Sequence, residues 1–187
     1  MKLFENLHMV LVIGLVLALA LMYGTGHAPQ PETLFRWMHV FFGITWIGLL
    51  YYFNFVQVPT MPKIPAELKP GVSKFIAPSA LFFFRWGAAF TVLTGAAIAG
   101  QNHYLVEALT FQQQGPVKLI GIGMWLALIM AFNVWFIIWP NQKKILGLVE
   151  ASDEAKAKAA PIALIASRLN TMLSLPMFYC MVSANLS

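Results

Sequence analysis

The run from Leu7 to Tyr23 carries no charged side chain, and four further stretches of comparable length and apolarity follow it. At 1.5 Å per residue, a helix of this length covers the hydrocarbon core of a bilayer. Only helices and closed barrels satisfy their backbone polar groups there, and the long apolar runs favour helices. Charged residues make up 10% of the 187-residue chain, against about 25% in soluble domains. The expected fold is all-α: a polytopic membrane helical bundle with spans near 7–23, 34–58, 79–100, 117–139 and 161–184, forming a single membrane domain over 1–187.

Prolines and glycines mark the connections. Gly24 to Glu32 reads as a loop, with Thr33 capping the second span. Gly26-His27-Ala28 is weakly like a signal-peptide cleavage site, but Pro29 disfavours cutting, so the first run is read as a retained helix. Pro59, Pro62, Pro65, Pro70 and Pro78 predict a surface loop, and the fourth span is expected to stop at Pro140. Asn141 to Ala160 is expected to extend the fifth helix into water, with Pro161 near its membrane start and a kink at Pro176. The second half of the third span, rich in Gly and Ala, predicts close helix approach.

Five spans place the termini on opposite sides. Lys2, Lys63, Lys69, Lys74, Lys143, Lys144, Lys156 and Lys158 then share the N-terminal side, whereas Arg36 and Lys118 lie on the other. The positive-inside rule makes the N-terminus cytoplasmic and the C-terminus external. The net charge of +5 is thus an orientation signal, and no basic and aromatic surface segment points to nucleic acid. Cys180 is alone and reads as a small hydrophobe. No Ser-His-Asp set, carboxylate pair or phosphate loop supports a hydrolase or a nucleotide-driven machine.

The second span carries more polar chemistry than solubility in lipid requires. His39, Gly43, Trp46 and Gln57 fall on one narrow stripe at 100° per residue, so the stripe reads as an inner wall, with His39 as a candidate metal or haem ligand; a histidine that bonds a neighbouring backbone carbonyl is the alternative. Lys118 enters the fourth span at nearly the same depth; a lysine snorkelling to headgroups is the alternative there. His27 and His103 lie in the loops above, leaving open a copper or zinc site with His39. His8 reads as interfacial. Arg85 and Arg168 lie about two turns inside the opposite face, with no Asp or Glu in the four later spans to pair with. Haem propionates, a bound anion, lipid phosphate or the amides of Asn54, Asn133 and Asn170 are the candidate partners. The helix rise separates His39 from Arg85 by about 15–20 Å, which makes the arginines a second site.

The runs WMHVFFGITWIGLLYYFNF, FNVWFIIWPNQKKILG and SRLNTMLSLPMFYCM resemble, in that order, the membrane domain of the urate oxidase N-terminal family. That family includes bacterial membrane urate oxidases fused to a C-terminal cytochrome c. A fainter similarity in plan links the chain to four-helix membrane protoporphyrinogen oxidases, b-haem proteins that use a His and a Lys two helices later, as His39 and Lys118 stand here. No CxxCH motif for covalent haem occurs among the 187 residues, so urate oxidation by these residues alone is not expected. The resemblance implies a bacterial inner-membrane redox protein that binds b haem near the outer face, with His39 axial and Lys118, Trp46, Arg85 and Arg168 around the cofactor. It would transfer electrons as an oxidoreductase component. Expected partners are the lipid bilayer and a partner subunit, cytochrome c or quinol, with homo-oligomerisation open. A non-catalytic subunit of a membrane complex is the alternative.

Overall fold

The computed structural model describes residues 2–26 and 30–184. Every regular element among them is helical. A short turn at Lys2–Glu5 leads into α1, Leu7–Gly24, which Asn6 caps by accepting from the backbone N–H groups of His8 and Met9. The remaining helices are α2, Pro31–Lys63; α3, Lys69–Gln101; the short α4, Leu105–Leu109; α5, Pro116–Ile145; and α6, Asp153–Ala184. Among the described residues, α1, α2, α3 and α5 are long and apolar enough to cross a membrane. The expected fifth span, α6, does not join them by composition: Ser167, Arg168, Asn170, Thr171 and Ser174 dilute its middle.

The prolines act differently from the sequence expectation. Pro59, Pro78 and Pro140 all lie inside continuous helices. Before each of them the backbone widens to a π-helical segment, at Tyr52–Gln57, Val72–Ile76 and Asn133–Ile138. A proline lacks the N–H that would bond four residues back, and its ring crowds that residue's carbonyl. A widened turn just upstream moves the carbonyls aside and lets the helix continue. The expected 59–78 loop therefore shrinks to a short connection between Lys63 and Lys69, and α5 runs past Pro140 to Ile145. The expected extension of the last helix towards water is a continuous part of α6 from Asp153, with Pro161 and Pro176 both internal.

Two seams build the core. Helix α3 packs along α2, and α6 packs along nearly the whole of α5, with a narrower contact between the pairs. Trp46, Leu50, Phe53, Phe84, Met130 and Val134 are buried where the seams meet. Burial of large apolar side chains would not by itself hold helices together in lipid, so close packing and interhelical hydrogen bonds must. Small residues provide the approach. An added Cβ at Gly123 would stand 2.9 Å from the Cβ of Cys180, and one at Gly121 would overlap the carbonyl oxygen of Ala108. Cys180 is buried and free, a small apolar filler beside Gly123. By contrast α1 buries no residue.

Candidate functional site around His39

The polar stripe on α2 becomes a wall because α3 offers small residues at a matching spacing. His39, Gly43 and Trp46 meet Gly95, Thr91 and Gly87 respectively in an antiparallel ladder. A Cβ at Gly87 would lie 3.2 Å from the Trp46 backbone nitrogen, and one at Gly43 would lie 4.0 Å from Thr91 Cγ2. The indole of Trp46 is fully buried, and its Nε1 has no hydrogen-bond partner among the described residues. Gln57, the last member of the stripe, sits at the end of the π-helical segment, beyond the reach of a constant 100° step; its Oε1 is also buried without a partner.

His39 lies against the glycine. A Cβ on Gly95 would stand 2.9 Å from the ring's Cε1 and 3.2 Å from Nδ1, so only glycine admits the ring in this position. Nδ1 is 2.9 Å from the Thr91 carbonyl oxygen and 3.3 Å from Thr94 Oγ1. A carbonyl can only accept, so Nδ1 carries the proton and donates it. The Thr94 hydroxyl is turned towards the Phe90 carbonyl at 2.6 Å, which leaves its oxygen free to accept as well. Nε2 then keeps its lone pair, and it has no hydrogen-bond partner among the described residues. An imidazole whose Nδ1–H is tied to a backbone carbonyl is oriented and made more basic at the other nitrogen, the usual preparation of a metal-ligating histidine.

Lys118 and His103 stand on separate elements. Lys118 is exposed on α5 and reaches back 3.3 Å to the side-chain oxygen of Gln114, one turn earlier. His103 sits in the α3–α4 connection with a left-handed backbone, φ 57°. His27 lies outside the described residues. Among the described residues, no group of three His, Cys, Asp or Glu side chains converges.

The two arginines have separate surroundings. Arg85 lies on α3, six residues from Thr91 and ten from Gly95, about 9–15 Å along the axis from the His39 contacts. Its guanidinium centre is 3.3 Å from the centroid of Trp139 and 5.7 Å from that of Trp135. The Trp135 indole N–H donates to the Arg85 carbonyl at 3.2 Å. Cation–π contacts thus stand where a carboxylate was absent, a signal carried by Trp135 and Trp139 in the sequence but not read from it. Arg85 Nε is buried with no partner among the described residues.

Arg168 is exposed on α6 and faces a groove that it lines with Asn54, Phe55, Thr171, Met172 and Leu175. Asn54 is buried at 6% exposure, and its Nδ2 donates to the Leu50 carbonyl at 2.9 Å and to Ser167 Oγ at 2.8 Å. Because the Leu50 carbonyl accepts only, the amide cannot be flipped, and Oδ1 is left buried without a partner among the described residues. An orphaned acceptor of this kind costs about 1–3 kcal/mol. Asn54 is fifteen residues beyond His39 on the same helix, about 22 Å along the axis. The other two asparagines form a clamp between α5 and α6. Asn133 Nδ2 donates to Asn170 Oδ1, and Asn170 Nδ2 donates to the Met130 carbonyl, both at 2.9 Å.

No curated protein and no solved structure matches the chain. Residues 108–187, which include all of α5 and α6, match the family model described as urate oxidase N-terminal, the family that the helix motifs resemble.

Proposed function

We propose that this chain is an integral membrane redox protein that holds b-type haem through Nε2 of His39. The observation that carries the reading is the fixed Nδ1–H tautomer, with Thr91 and Thr94 accepting and Gly95 making room. That donor set fits an axial ligand. Haem, when bound, would supply reversible one-electron chemistry whose potential depends on axial ligation and burial. Thr91 holds the imidazole in one orientation, Gly95 gives it space, and buried Trp46 closes the apolar floor about two turns along α2. Lys118 and Arg85 are the cations that the reading adds, at the start of α5 and part-way along the α2–α3 seam.

The proposed topology has five crossings, with the N-terminus cytoplasmic and the last helix ending outside, in a bacterial inner membrane. It is supported by the packing of α6 along nearly the whole of α5: a helix that accompanies a spanning neighbour for most of its length spans with it. The partners would be the bilayer and an electron donor or acceptor such as a quinol, a cytochrome c or another subunit. A second reading, a non-catalytic subunit of a larger membrane complex, draws on α1, whose apolar surface is left to lipid or to another chain.

A reduced-minus-oxidised difference spectrum of the purified protein tests the proposal. The expected result is b-type bands that His39→Ala abolishes and His8→Ala retains. A full haem complement in His39→Ala rejects the axial assignment, and a featureless spectrum of the metal-free wild type favours the subunit reading.

A further inference from the structure

Between α2 and α6 the structure holds a groove of about 420 Å³ with an unusual combination of linings. Its walls are apolar, from Phe55, Met172 and Leu175, yet they also include Arg168 and Asn54, whose buried Oδ1 has no partner among the described residues. Arg168 makes no hydrogen bond or ion pair among the described residues. The Oδ1 atom of Asn54, on a side chain more than nine-tenths buried, is unpartnered because the amide's donors are fixed on Leu50 and Ser167. Such a site calls for an occupant with a negative charge, a hydrogen-bond donor and an apolar body.

The axial order of the lining narrows the choice. Lysines cluster at the end of the bundle where α6 begins, at Lys143, Lys144, Lys156 and Lys158. Moving away from them along α6, Arg168 comes first, then Met172 and Leu175, the last about 10 Å further into the span. Arg168 starts about two turns inside that face, but side chains on a helix lean towards its N-terminus, here the lysine-rich end. The guanidinium thus reaches back towards the headgroups while the apolar walls lie deeper, the layout of a lipid molecule with its phosphate above and its acyl chain below. A free anion would have no use for the deeper walls. We propose that this groove binds an anionic phospholipid of the lysine-rich leaflet, whose phosphate pairs with Arg168 and whose headgroup hydroxyl donates to Asn54. Phosphatidylglycerol has both features. Phosphatidylcholine has the phosphate, but it lacks a donor and adds a cation. The site is independent of any cofactor at His39.

The test uses the full chain in mild detergent, titrated with phosphatidylglycerol, phosphatidylcholine or inorganic phosphate and read by native mass spectrometry. The expected result is one phosphatidylglycerol retained per chain, about two- to tenfold tighter than phosphatidylcholine, in line with the hydroxyl's hydrogen bond to Asn54. Arg168→Gln, which removes the phosphate's partner, should lower phosphatidylglycerol affinity at least about tenfold, whereas Lys158→Gln, in the same leaflet and paired with Glu154, should leave it unchanged. Thr171→Trp should fill the groove and exclude the lipid while the helical signal and melting point stay at the wild-type values. Wild-type retention in Arg168→Gln or in folded Thr171→Trp overturns the proposal. So does equal affinity for the two lipids, and so does displacement of phosphatidylglycerol by millimolar inorganic phosphate, which would make this a free-anion site.

Discussion

Replacing Gly95 with alanine probes the contact on which the His39 geometry rests. The new methyl would lie 2.9 Å from Cε1 and 3.2 Å from Nδ1, whereas carbon atoms in good contact stay about 3.5–4.0 Å apart. The ring must therefore withdraw by about 0.5–1 Å. Starting from 2.9 Å, that movement stretches the Nδ1 bond to the Thr91 carbonyl beyond the useful range for N–H···O. The lost hydrogen bond costs about 0.5–1.5 kcal/mol. Overpacking in a rigid site adds about 1–3 kcal/mol, but an imidazole at the free end of its side chain relieves most of that. The expected net cost is about 1–2 kcal/mol. Reversible unfolding in mixed detergent micelles, followed by far-UV circular dichroism, measures it. The decisive comparison repeats Gly95→Ala in a His39→Ala background, where the methyl meets no ring and the cost should vanish. An equal cost in both backgrounds would refute the claim that the ring requires the glycine.

Two further outcomes follow from other parts of the fold. A double-mutant cycle on Asn133→Ala and Asn170→Ala should give a coupling of about 0.6 kcal/mol and at most about 1.7 kcal/mol, the range for interhelical hydrogen bonds in membranes; strict additivity would mean that the clamp seen between α5 and α6 is not formed. Tyr104, in the connection between α3 and α4, has its phenol pushed above the usual value of 10.0 by burial, with Glu32 adding to the rise and Arg36 opposing it. A raised acid pKa means that its contribution to stability is intact below the unfolded value and is lost as pH climbs through the folded one. Wild type should therefore lose more stability than Tyr104→Phe between pH 9 and about 11, and parallel curves would contradict the burial argument.

How far the residues themselves could be read is clearest along α2. Its length, its apolarity and the phase of His39, Gly43 and Trp46 were all legible, because a helix's angular step is the same in any surroundings. The stripe's partner was not. The ladder to Gly87, Thr91 and Gly95 depends on which helix lies opposite and in which register, and no local periodicity encodes that. The constant step that placed Gln57 on the stripe does not hold through the π-helical segment Tyr52–Gln57.

The prolines and the charged groups divide in the same way. That Pro59, Pro78 and Pro140 disturb an α-helix follows from the missing N–H; that the backbone widens and carries on was decided by neighbouring helices that keep both halves packed. The absence of carboxylates near Arg85 and Arg168 was visible in the chain. Only the assembled bundle put Trp135 and Trp139 against Arg85, sent Lys118 to Gln114 away from His39, and left Arg168 beside an unpartnered Asn54 oxygen. Composition and spacing determined that the chain forms apolar helices, since those depend on each residue's own chemistry. Which lone pairs and cations remain available was settled by contacts between residues distant in sequence, because a hydrogen bond exists only where two groups are brought within about 3 Å of each other.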